Sequence, residues 1–164
     1  MTVLEVTNGL TSDQLLPIIS SLTPCSTSLT APPLPLITLD TPMLNYDISG
    51  IALSFLPSSN ELIELRARAW DVIAHAGVIA KMRYALPSAH ITVGRFVKRG
   101  SGLGVERAEW VRLLDVINDV LRGWEGKWEL NSLALRAGVQ WYGGGYSIAE
   151  NGVLCVSHAM SRSQ

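Results

Sequence analysis

The chain has 164 residues, of which 48% are hydrophobic and 16% charged, enough length and apolar content for one folded domain rather than a disordered segment. Its 13 basic residues stand against 14 acidic ones with no run of like charge, so it lacks the electrostatic footprint needed to capture duplex DNA or an anionic membrane surface. No apolar run approaches the roughly 20 residues that span a bilayer, no signal peptide opens the sequence, and Cys25 and Cys155 stand far apart with no metal-ligand spacing, which points to a reduced, cytoplasmic setting.

Residues 3–6, Val-Leu-Glu-Val, read as a short strand. Thr11 and Gln14 then have the spacing of a capping box, opening a helix that buries Leu15, Leu16, Ile18, Ile19 and Leu22 and stops at Pro24. Over 23–42 the composition turns to Pro, Ser and Thr, which predicts a mostly exposed, flexible loop in which 34–39 can pair as an edge strand. Ile51, Leu53 and Phe55 at period two mark a strand within 46–56, and 57–61 supply a turn and a second capping box. Leu62, Leu65, Ala69, Val72, Ile73, Ala76 and Ala80 keep helical spacing until Pro87 forbids continuation.

Residues 88–97 read as the next strand, and 98–104 as a basic, glycine-rich turn. Trp110, Leu113, Leu114, Ile117, Val120 and Leu121 mark an amphipathic helix closed by Gly123. A strand over 128–140, a tight turn at Gly143, Gly144 and Gly145, two shorter strands over 146–149 and 153–156 and a loose tail from 157 complete the chain. Strands alternating with helices and ending in hairpins predict an α+β fold with largely antiparallel pairing, as a single domain over 1–164. The two halves repeat this order roughly, which hints at a duplicated lobe.

The chemistry concentrates in the strand at 88–97. Alternation sends His90 and Thr92 to one face and leaves Ala89, Ile91, Val93 and Val97 for the core. A solitary histidine in a half-apolar strand is more often structural than catalytic; beside a hydroxyl two residues on, however, it can hold and protonate a phosphate oxygen. Arg95 and Arg136 carry charge that suits phosphate, although strict alternation sends Arg95 to the side away from His90. Trp141 and Tyr142 either stack a base or pack as ordinary aromatic neighbours of a turn. His75, within a helix, and His158, followed two places on by Met160, read as structural or solvent-facing. The run Gly143-Gly144-Gly145 lacks the lysine and hydroxyl residue of a P-loop and reads as a hairpin turn.

The segment Pro87-Ser88-Ala89-His90-Ile91-Thr92-Val93-Gly94-Arg95-Phe96 resembles the histidine-any-threonine motif of the 2H phosphoesterase superfamily, flanked as in its fungal RNA ligase or cyclic nucleotide phosphodiesterase-like branch. Met1-Thr2-Val3-Leu4-Glu5-Val6-Thr7 is similar to the other motif of that branch, the ten residues from Tyr46 to Phe55 to its second strand, and Leu135-Arg136-Ala137-Gly138 through Trp141-Tyr142-Gly143-Gly144-Gly145 to its late hairpin. The resemblance implies two pseudo-symmetric lobes of mainly antiparallel sheet, with outer helices, around a central cleft. It implies metal-independent hydrolysis, without a cofactor, of 2′,3′-cyclic or related phosphodiesters of nucleotides or RNA ends. One histidine deprotonates water, another protonates the departing oxygen, and hydroxyls hold the non-bridging oxygens. On this chain His90 would be one acid/base histidine, Thr92 its phosphate-holding partner and Thr2 the hydroxyl of the other motif, with Arg136, Trp141 and Tyr142 as substrate-binding residues. The counterpart of the other histidine falls one position before Met1, which implies impaired turnover in the chain as written. The alternative is a non-catalytic module that binds a nucleotide or RNA end.

Overall fold

A computed structural model describes residues 1–33, 35–47, 50–81, 89–96, 107–139 and 144–155. In chain order it contains α1 (Ser12–Leu22), a 3-10 turn (Thr23–Cys25), α2 (Ser26–Leu29), β1 (Ile37–Tyr46), β2 (Gly50–Pro57), α3 (Glu61–His75), β3 (Ala89–Arg95), α4 (Arg107–Arg122), β4 (Trp128–Leu130), β5 (Ala134–Ala137), β6 (Tyr146–Glu150) and β7 (Val153–Leu154). The protein is therefore α+β, and the strand pairs β1–β2, β2–β3, β5–β6 and β6–β7 are antiparallel. The chain divides into two compact units built from separate stretches: Met1–Val3, Thr38–Asn60 and Leu86–Glu129 in one, and Leu4–Ile37, Glu61–Ala85 and Leu130–Gln164 in the other. Among the described residues no helix is long and apolar enough to cross a membrane.

The first unit is built on a four-stranded sheet in the order β3-β2-β1-β4. Ile51, Leu53 and Phe55 give β2 one apolar face, and pairing Phe55 with Ala89 and Leu53 with Ile91 extends that face across β3. Phe55 is 3% exposed and meets Trp128 edge-on at a centroid distance of 5.3 Å and Trp124 at 6.2 Å, a favoured aromatic arrangement. Helix α4 contributes Leu114 to the buried residues. It also caps an exposed stretch of ladder: Asn118 Oδ1 accepts from Leu44 N–H at 2.8 Å while its Nδ2 donates to Leu44 O at 3.1 Å. That is the pair of bonds a neighbouring strand would make, so one side chain satisfies both polar groups of a β1 residue.

Both neighbours of β2 bulge against it. Toward β1 the register shifts between Asp40 and Met43, so Thr41 and Pro42 together oppose Phe55. Thr41 adopts a left-handed φ of 49°, and the bulge gives Pro42, which has no N–H, a position outside the regular ladder. Asp40 ties this kink to the strand end, accepting from Ser58 Oγ at 2.8 Å and from Thr41 Oγ1 at 3.1 Å. Toward β3 the register shifts between Ile51 and Ala52, leaving Val93 as the extra residue.

In the second unit Leu22, Ile73, Val78 and Ala80 form a buried cluster, with Leu4, Val6, Ile18, Cys25, Leu29, Ala76 and Leu135 packed against it. The capping box of α1 is present, with Gln14 Oε1 accepting from Thr11 N–H at 3.0 Å. Buried Thr30 ties α2 to the β6–β7 hairpin: its hydroxyl donates to Ser26 O at 2.9 Å and accepts from Gly152 N–H at 3.2 Å. That hairpin turns on Asn151 and Gly152, at φ 49° and 76°, the left-handed pair that a two-residue turn between twisted strands demands.

Several expectations are corrected. Residues 3–6 form no strand; residues 4–6 belong to the second unit, held there by main chain, with Lys81 N–H donating to Val6 O at 2.8 Å, and by the packing of Leu4 and Val6. The stretch 23–42 is not a mostly exposed loop, because the α1 turn continues through Thr23–Leu29 and Ile37 and Leu39, each 1% exposed, enter the core on β1, an inner strand of its sheet. Of the five residues expected to be buried along α1, Leu22 is buried and Leu16 is 59% exposed. Helix α3 ends near Gly77, whose φ of 76° lets Val78 N–H reach back to Ile73 O at 3.1 Å, ten residues before Pro87. The strand expected over 128–140 is two strands in different sheets, β4 and β5. The expected turn over 98–104 and the tail from 157 lie outside the described residues.

Candidate functional site

His90 and Thr92 lie on β3 and project to one face, as period two requires. Their cross-strand partners on β2 are Ser54 and Ala52. Directly opposed residues in an antiparallel pair have Cβ atoms about 4.5–5.5 Å apart, and residues two apart on a strand are about 6.6 Å apart, so His90, Ser54 and Thr92 form a triangle that one phosphate group can span. Ser54 was not among the residues expected from sequence; its role depends on a register that local sequence does not display. His90 and Ser54 are half-buried and Thr92 is exposed, which gives a supported imidazole beside an open hydroxyl. Met43, opposite Ser54 on β1, and Leu56, two residues beyond it on β2, are 49% and 54% exposed on the same face.

The bulge changes which residues share that face. Across the shift Gly94 pairs with Ile51 and Arg95 with Gly50, and Gly50, Ala52 and Ser54 are alternate residues of β2. Register therefore puts Arg95 on the side of Ala52 and Ser54, with His90 and Thr92, and corrects the placement that unbroken alternation predicts. Val93 is 63% exposed instead of sharing a face with buried Ala89 and half-buried Ile91, for the same reason. The strands approach closely here: a Cβ on Gly50, which is buried, would lie 2.3 Å from Gly94 O. Only glycine fits at position 50, and it is the residue that lets Arg95 pair there.

The other expected residues divide. Thr2 belongs to the first unit and is exposed, in a segment with no strand structure. Arg136 belongs to the second unit, where its guanidinium donates to Gly144 O, just before β6, at 3.1 Å. Trp141, Tyr142 and His158 lie outside the described residues. His75 donates from Nδ1 to Asp71 O at 2.7 Å, one helical turn back, a local bond that fixes its ring.

Two grooves in the second unit escaped sequence reasoning. One of 380 Å³ is lined by Pro33, Pro35 and Ile37 and by Glu61, Glu64 and Arg68 of α3, and one of 600 Å³ by Cys25, Arg68, Asp71 and His75 among others. Helix spacing of Arg68, Asp71 and His75 was the available signal, but a helix face becomes a groove wall only through what packs beside it. Comparison with protein-family models, with curated proteins and with solved structures finds no match for the chain.

Proposed function

We propose that the open β2–β3 face is a 2H phosphoesterase-like site that binds a nucleotide or RNA-end phosphodiester and opens it hydrolytically. The observation that carries this reading is the shared face of half-buried His90 and Ser54 and exposed Thr92 on paired strands. Thr92 and Ser54 donate hydroxyl hydrogens to non-bridging phosphate oxygens as charge builds there. In opening a 2′,3′-cyclic phosphate, the water oxygen bonds to phosphorus, one ribose oxygen leaves, and His90 in its protonated form gives that oxygen its proton. The resemblance of the His90 segment supplies the superfamily, its two pseudo-symmetric lobes around a cleft, and the requirement for a second base to take the proton of water. Free thiols at Cys25 and Cys155 fit a reducing, cytoplasmic setting.

A second reading, binding without turnover, is favoured by the position of Thr2 in a segment that forms no strand beside β3. Incubation with adenosine 2′,3′-cyclic phosphate, followed by phosphorus NMR, separates the two. The catalytic reading expects ring opening that falls about 10²–10⁴-fold in His90→Ala. Saturable binding with no product establishes the binding module, and turnover unchanged in His90→Ala sinks the assignment of His90.

A further inference from the structure

The sequence marks Arg95 as a charge that suits phosphate, but its local pattern does not place it on this face. A phosphate held by hydroxyls and one imidazole retains most of its negative charge, and a guanidinium is the side chain best matched to two of its oxygens at once. Regular alternation would give position 94 to the His90 face and turn Arg95 away; the extra residue Val93 reverses this, pairing Arg95 with Gly50 on the strand face that carries Ala52 and Ser54. The reversal depends on glycine at position 50, where any side chain would run into the β3 backbone.

We infer that Arg95, turned onto the His90 and Thr92 face by the Val93 bulge, is the cationic phosphate-binding residue of this site, and that the bulge is a functional device. The inference rests on the phosphate-site reading above. It specifies a ligand carrying a terminal or cyclic phosphate and assigns neutral nucleosides no affinity for this part of the face.

The test titrates adenosine 2′-phosphate into the protein by calorimetry at two salt concentrations. Wild type is expected to bind with an affinity that falls as salt rises. Arg95→Ala should weaken binding about tenfold or more, the scale of losing a charge-assisted hydrogen-bond pair, and flatten the salt dependence, while Arg95→Lys keeps part of both. The exchange Gly94→Arg with Arg95→Gly decides the role of the bulge, since a Cβ at Gly94 meets nothing within 4 Å and the swap conserves composition. It should bind as weakly as Arg95→Ala with an unchanged urea midpoint. Binding by Arg95→Ala within twofold of wild type, or full binding by the swapped protein, overturns the role of Arg95 and leaves the phosphate site standing; a wild type that binds no adenosine 2′-phosphate overturns both.

Discussion

Replacing Gly50 by alanine tests the close approach of β2 and β3 on which the face depends. The new Cβ would stand 2.3 Å from Gly94 O, 3.2 Å from Arg95 Cα and 3.3 Å from Gly94 C, all of them main-chain atoms that cannot rotate away. Ordinary carbon contacts begin near 3.5 Å, so the strands must separate by about 1 Å at this end. Overpacking of a well-packed site costs about 1–3 kcal/mol, and because the obstacle here is backbone rather than a flexible side chain, a loss of about 2 kcal/mol or more is expected. Gly94→Ala is the control, since its Cβ meets nothing within 4 Å, and its effect should stay within about 0.5 kcal/mol. Urea unfolding followed by circular dichroism reads both, as a lower midpoint for Gly50→Ala at an unchanged slope. Equal midpoints for Gly50→Ala and wild type, or equal damage from both variants, would refute the geometry.

Asn118→Ala removes both side-chain bonds to Leu44 and should cost about 1–3 kcal/mol in the same assay, because the half-buried N–H and C=O of Leu44 lose their partner together. Phe55→Ala should cost about 3–5 kcal/mol and quench the near-ultraviolet dichroism of Trp124 and Trp128, whose rings it contacts. Thr30→Val keeps the volume but breaks the hydroxyl link between α2 and the Asn151–Gly152 turn, for an expected loss of about 1–2 kcal/mol and faster amide exchange at Gly152.

Local chemistry was legible in the sequence and long-range register was not. The capping box at Thr11 and Gln14 and the stop at Gly123 place α1 and α4 because these signals act on the residues beside them. Gly77 and the Asn151-Gly152 pair are signals of the same local kind, a helix cap and a hairpin turn. Proline enrichment misled over 23–42, since Pro24 opens a 3-10 turn and Pro42 sits in a bulge, two places where a missing N–H does no harm. At the candidate site the pair His90 and Thr92 was legible from alternation alone. Ser54 and Arg95 were not, because one enters through pairing with a strand about 35 residues away and the other through a one-residue slip in that pairing.

The most direct test of the central claim is amide chemical-shift mapping during titration with adenosine 2′-phosphate. Shifts that saturate together at Ala52, Ser54, His90, Thr92 and Arg95 are expected. Shifts gathered instead at Arg68, Asp71 and His75 along the α3 grooves, or none at all, would contradict it.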